Sequence, residues 1–355
     1  MNRRSILAAG VGLAIATPTA AQTRPRIEAF DPAFWRLIDR NADTRVIATG
    51  GDLGVVPAGA DDYGASLESP IWHPNSFLLF SNIPQNKILK WTPSNGVEVF
   101  LDNTGHANGL WFDQQNRLLM AEHSGRQVSR VEANGSRTVI MRSYRNQRLN
   151  RPNTVITRSD GGIYFTDFGF RTGPTEDWDV DFEGIYYVSP DLGTRVLLTR
   201  DVVAPHKILF SRDERTLLVG QYQGILAFDM TNIASPDATE NQPGGRVVRD
   251  SQRWFWRGGA DRREPRVMHD LVAANGRFVD GVKMDAENNI WFSGRFGVWA
   301  LSAEGRLLGR IDFGESTPNL AFGGDDLRTL FVTANHTVYA VETRMAGLPI
   351  PSRPA

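Results

Sequence analysis

The chain has no cysteine in its 355 residues. Thiolate metal centres, cysteine nucleophiles, iron–sulfur clusters and disulfides are therefore excluded. It also lacks net charge: 39 Lys and Arg face 40 Asp and Glu, for a formal −1. Acids and bases are well mixed along the chain, which argues against nucleic acid or an anionic membrane face as partner. Apolar runs are short. None beyond the extreme N-terminus could span a bilayer, and that one is too short to do so. There is no GxSxG elbow, no Walker loop, no dinucleotide fingerprint and no Asp-rich loop of EF-hand spacing. These absences remove serine hydrolases of the α/β type, nucleotide enzymes and EF-hand proteins.

What is present at the start is a signal. Arg3-Arg4 precede an apolar stretch from Ile6 to Ala16, and Thr19-Ala20-Ala21 supply small residues for cleavage. Asn2 to Leu7 fits a twin-arginine signal, with a general secretory signal as the alternative. Residues 1–21 are expected to be removed near Ala21, leaving a soluble periplasmic protein.

Glycine (34), proline (19) and 10% aromatics suit a turn-rich all-β chain. One pattern recurs six times: LLFSN from Leu78, LLMAE from Leu118, IYFTD from Ile163, LLVGQ from Leu217, IWFSG from Ile290 and LFVTA from Leu330. Each strand is entered by a polar turn such as Ser159-Asp160-Gly161-Gly162, rich in residues that accept tight hairpins. Further β segments follow each one. Units of this size stacked radially are propeller blades, so the expected fold is all-β, a six-bladed β-propeller with four-stranded blades. This overrides a length prior of about two domains. The propeller is expected over 67–345, a tail over 346–355, and an N-terminal extension over 22–66. In that extension Asp31 to Asp39 has helical spacing, and Thr44 to Thr49 should close the last blade as its outermost strand. The long interruption from Met230 to Phe278 should hold outer strands of the fourth blade, with Arg246 to Val248 a candidate. Its arginines and Trp254-Phe255-Trp256 read as a solvated loop or as a lid over the site.

A polar residue stands ten or eleven positions before each repeat strand: Glu68, Asn108, Asn153, His206, Asp280 and Asn319. Equal phase in a radial repeat means convergence on the axis. Carboxylates and amides there suit calcium. The imidazole of His206 shifts the preference toward zinc, iron or manganese. Glu68, Asn153, His206 and Asp280 are the expected ligands, with Asp280 also the candidate base. Asn108 and Asn319 read as substrate-contacting or supporting groups. His106 and His123 lie near the same mouth, as proton shuttles or as hydrogen-bonded structural histidines.

At these residues the chain resembles the gluconolactonase, regucalcin and luciferin-regenerating-enzyme family. LESPIWHP at Leu67, NGLWFDQQNRLLMAEH at Asn108, RLNRPNTVITRSDGGIYFTD at Arg148 and VDGVKMDAENNIWFS at Val279 carry the likeness. The resemblance implies a six-bladed propeller, one divalent cation (usually calcium, sometimes zinc or another metal) and hydrolysis of a lactone, most often sugar-derived. By motif, Glu68 matches the family's ligand Glu and Asp280 its ligand Asp and supposed base. Asn153 matches the Asn of the Pro-Asn-Asp segment, and Arg151 a substrate-binding Arg. Asn108, Arg151, Phe168 and His123 are expected to line the small-molecule pocket.

Three departures stand at one mouth. The family's Pro-Asn-Gly is Pro205-His206-Lys207, its Glu-Gly-Pro is Glu68-Ser69-Pro70, and its Asn-Asp is Asn153-Thr154. Lys207 adds a cation where the family has no side chain. It either favours an anionic substrate or points away. The first expectation is a metal-dependent lactone hydrolase. A metal-dependent lyase, isomerase or other hydrolase, and a non-enzymatic ligand-binding propeller, are the alternatives.

Overall fold

The structure is a computed structural model and describes residues 25–49, 67–169, 179–221, 224–230, 279–294 and 296–350. The expected export signal and the arginine-rich segment with its candidate strand lie outside these residues.

Six small antiparallel sheets form a ring, the six-bladed propeller read from the repeats. Blade one runs through Leu67–His73, Phe77–Asn82, Lys87–Thr92 and Gly96–Asp102 in simple up-down order. The repeat strands are second in each blade. They are apolar on both faces because neighbouring blades cover both: Leu78, Leu79 and Phe80 are all fully buried. The outermost strand, Gly96–Asp102, has no buried residue and is exposed over Glu98 to Phe100. Blade two begins at Ala107–Phe112, blade three at Arg151–Thr157, blade four at Lys207–Phe210, blade five at Val279–Met284 and blade six at Asn319–Gly323.

The two chain ends share blade six. Thr44–Thr49 pairs antiparallel with Thr337–Glu342, Thr44 opposite Val341. Ala48, Leu67, Phe80, Phe331 and Val338 form one apolar cluster across the seam between blades six and one, and Trp72 stacks on Phe331 at 5.4 Å. Burial here ties the ring shut without a disulfide. Two features go beyond the four-strand expectation. Arg26–Ala29 adds a fifth strand to blade five, pairing with Leu307–Asp312. The expected helix over 31–39 shrinks to one turn, Phe34–Leu37, whose Phe34 is buried against Trp291. Among the described residues no helix is long and apolar enough to cross a membrane.

The innermost strands set the height of the site. Glu68, Lys207 and Asn319 pair with Ser81, Gly220 and Thr333, the fourth residue of their repeat strands. In blades two, three and five the register shifts at the same height, between Ala107 and Leu110, Pro152 and Val155, and Val279 and Val282. Asn108, Asn153 and Asp280 sit in these bulges, opposite Ala121, Thr166 and Ser293. A bulge adds one residue and re-aims its side chain. Hydroxyls at the fourth position then pin the next blade: Ser81 donates to the Asn108 carbonyl at 3.0 Å, and Ser293 to the Pro318 carbonyl at 2.8 Å.

In blades two and five, close approach of the neighbouring blade demands glycine after the bulged residue, at Gly109 and Gly281. A Cβ on Gly109 would lie 2.5 Å from the Asn153 carbonyl oxygen and 2.8 Å from the Thr154 Cα. Backbone cannot yield as a side chain can. Gly109→Ala is expected to cost about 1–3 kcal/mol through overpacking, seen as a lower urea midpoint at unchanged slope.

Candidate active site

Lys207 occupies the centre of the channel. Its ammonium donates to Asn108 Oδ1 at 2.6 Å, Asn153 Oδ1 at 2.9 Å and Glu68 Oε1 at 3.3 Å. Asp280 Oδ1 stands 3.7 Å away, and the Lys207 side chain is only 4% exposed. An ammonium has three N–H donors and no acceptor. Three acceptors from three different blades therefore satisfy it. The attraction to Glu68 amounts to about 5 kcal/mol gross at an effective dielectric of about 20, before desolvation is subtracted.

The two carboxylates are held differently. Glu68 is clamped: its second oxygen accepts from the Ser69 N–H at 2.8 Å and from Asn319 Nδ2 at 3.0 Å. Ser69 adopts φ 42° to make that bond possible, in the left-handed region where glycine is cheapest. Burial raises the Glu68 pKa; Lys207 opposes the rise and Asp280 adds to it. Asp280 Oδ1, by contrast, is buried and makes no hydrogen bond among the described residues. Lys207 Nζ and His206 Nδ1 stand 3.7 and 3.8 Å from it, and the half-buried Lys283 feels its charge.

His206 stands one residue above the ring. Its carbonyl accepts from Thr154 Oγ1 at 2.9 Å and Thr166 Oγ1 at 3.2 Å, and its imidazole packs on Phe168 at 4.5 Å. Phe168 pairs across blade three with Arg151. The turn before Arg151 is fixed by Asp167, which accepts from the Asn150 N–H at 2.8 Å. Burial pushes the Asp167 carboxyl up to about 7, against the pull of the Asn150 and Arg151 backbone N–H groups. His123 lies close enough to Lys207, Arg151, His106 and His206 to feel each charge, and burial first, then Lys207, pushes its pKa down to about 3. Its Nε2 is buried with no hydrogen-bond partner among the described residues. His106 Nδ1 is engaged by Ser124 Oγ at 2.6 Å.

Of the residues read from the sequence, Glu68, Asn108, Asn153, Asp280 and Asn319 come together. His206 adjoins Asp280 as well. Lys207 takes the ring position of blade four, pairing with Gly220, while the His206 N–H donates to the same Gly220 carbonyl at 2.9 Å. Lys207 stands ten residues before Leu217, the offset shared by Glu68, Asn108, Asn153 and Asp280. That spacing was the available signal for it. The serines and threonines of the repeat carried a second one.

A six-bladed propeller with a charged polar ring on its axis defines a class in which the inner strands supply the chemistry. The profile of the SMP-30/gluconolactonase/LRE-like region matches residues 67–240 and 256–336. The chain belongs to this family. It is similar to a gluconolactonase of Zymomonas mobilis, 26% identical over 98% of this chain and 99% of that protein. Among solved structures it is similar to a gluconolactonase from Xanthomonas campestris, 25% identical, with TM-score 0.66 over 90% of this chain and 94% of that one. A calcium-binding regucalcin from Agrobacterium tumefaciens shares the fold at 18% identity and TM-score 0.60, over 85% of this chain and 95% of that one.

The divalent cation implied by the family would need the oxygens of Glu68, Asn153 and Asp280. Calcium–oxygen bonds run about 2.3–2.6 Å, so an ion on these donors would stand in the space of Lys207 Nζ. Among the described residues no three His, Asp or Glu side chains gather to hold a metal. The residues present do not fit a metal at the hub while Lys207 lies there.

His123 yields a pH prediction. Its folded pKa of about 3 lies below the ordinary 6.5, so below pH 6.5 the unfolded chain takes up a proton that the folded chain refuses. Stability contributed by neutral His123 is complete above 6.5 and falls as pH drops toward 3, by at most about 1.4 kcal/mol per pH unit. Urea midpoints of His123→Asn should fall less between pH 7 and pH 5 than those of the wild type.

Proposed function

We propose that this chain is a lactonase-type hydrolase that opens a small cyclic ester at the channel hub. Family membership supports the reading, as do the two gluconolactonases it resembles along nearly its whole length. The observation that carries it is Asp280 Oδ1, a buried carboxylate oxygen that stands beside an ammonium and accepts no hydrogen bond among the described residues. Glu68 is consumed by its clamp, whereas Asp280 is left to accept a proton.

In this mechanism the ester lies across the ring with its carbonyl carbon above Asp280. Asp280 takes a proton from water as the water oxygen bonds to that carbon. The Lys207 and Arg151 charges stabilise the negative oxygen that develops. The acyl C–O bond of the ring then breaks, and the departing oxygen receives the proton from Asp280. The product is the open hydroxy acid, the ester plus one water. Phe168 and His206 wall the pocket, and neutral His123 offers a hydrogen bond to a substrate hydroxyl.

The purified chain is expected to hydrolyse one or more five- or six-membered aldonolactones, followed by acid release. Asp280→Asn should lower kcat by about 100-fold or more with an unchanged circular dichroism spectrum. A wild type inert toward the whole panel would sink the reading; an undiminished Asp280→Asn would remove that residue from the chemistry.

Export belongs to the same proposal: Arg3-Arg4, the apolar stretch from Ile6 to Ala16 and the small residues at Thr19-Ala20-Ala21 support a periplasmic reaction. Arg3→Lys with Arg4→Lys should leave the protein in the cytoplasmic fraction. Unchanged periplasmic recovery would point to the general secretory route.

A further inference from the structure

The geometry points to a built-in cation: in this chain the Lys207 ammonium replaces the divalent ion that the family's site residues would hold. The inference concerns occupancy of the hub. It rests on the lactonase reading only where turnover is the readout.

Three observations carry it. The first is position, since Lys207 Nζ lies at the meeting point of Asn108, Asn153, Glu68 and Asp280, each from a different blade. The second is valence. Three oxygens within 3.3 Å match three N–H donors, so the hub is saturated by the ammonium and offers no vacant donor set. The third is register. Lys207 pairs with Gly220 at the height where Glu68 pairs with Ser81 and where Asn108, Asn153 and Asp280 sit in their bulges, so its side chain starts level with the four oxygens it meets.

The exchange changes the charge of the site. A divalent ion would neutralise Glu68 and Asp280 together, whereas one ammonium neutralises one carboxylate. Half-buried Lys283 feels the charge of both carboxylates as well, and among the described residues Asp280 Oδ1 accepts no hydrogen bond. A tethered monovalent cation thus leaves Asp280 available as a base without a metal-bound water.

The test titrates calcium, zinc and manganese into chelator-treated full-length mature protein by calorimetry and thermal shift. The wild type should show no saturable one-to-one binding at millimolar ion, no rise in Tm, and lactone turnover within twofold of the untreated sample. Lys207→Gly removes the ammonium and should bind one divalent ion per chain, with Tm rising by about 5 °C at a hundredfold excess over Kd. Stoichiometric metal in the wild type by elemental analysis, tight one-to-one binding, or turnover abolished by chelator and restored by one ion would overturn the inference. A folded Lys207→Gly that binds none of the three ions would also overturn it. Should that variant fail to fold, Lys207→Ala repeats the arm, and the wild-type titrations decide the matter without either. These binding readouts hold whether or not any lactone is turned over, so a failed lactone panel and a failed cation inference are separate results.

Discussion

Two carboxylates cannot be buried side by side without a positive charge between them. Desolvation of an ion costs several kcal/mol even after the protein relaxes, and like charges add to it. Glu68 and Asp280 face each other across the channel with exposures of only 5% and 8%. The Lys207 ammonium is what makes their burial tolerable. Removing one partner of such a buried group is strongly destabilising because the others are left uncompensated. The hub is thus a fold-stabilising element and a site at once, and its asymmetry matters for chemistry. One carboxylate is saturated with hydrogen bonds and the other is not.

The propeller supplies the convergence. Each blade contributes one side chain at one height, set by the fourth residue of its repeat strand. Bulges at Asn108, Asn153 and Asp280 and direct pairs at Glu68, Lys207 and Asn319 bring residues of different sequence phase to that height. Ser81, Thr166 and Ser293 tie the second strands of blades one, three and five to backbone of the following blade, so the ring resists distortion. The seam strand Thr44–Thr49 then holds the circle closed. Without closure the blades would splay, and acceptors from separate blades would not share one nitrogen.

Much of this was legible in the chain. The six repeats gave blade count and fold class, because a strand covered on both faces must be apolar throughout and its turns must be polar. The strand-like Thr44 to Thr49 stretch foretold the seam. Glu68, Asn108, Asn153, Asp280 and Asn319 could be picked out by phase. The fifth strand of blade five was not legible, since four residues with mixed exposure carry no distinctive period. The helix near Phe34 proved shorter than its spacing suggested because one turn suffices to bury that side chain. His206 has the residue type of a metal ligand, and the sequence alone leaves Lys207 open between favouring an anionic substrate and pointing away.

Composition, the absence of cysteine and the repeat period are properties of the linear chain, and they settled the class of fold and the residues competing for the axis. Where each of two adjacent residues aims is a property of how the strands pair. The His206 N–H donates to the Gly220 carbonyl while Lys207 pairs with Gly220, and both side chains reach Asp280 Oδ1, at 3.8 and 3.7 Å. Only the packed ring set the ammonium, and not the imidazole, among the oxygens of Glu68, Asn108 and Asn153.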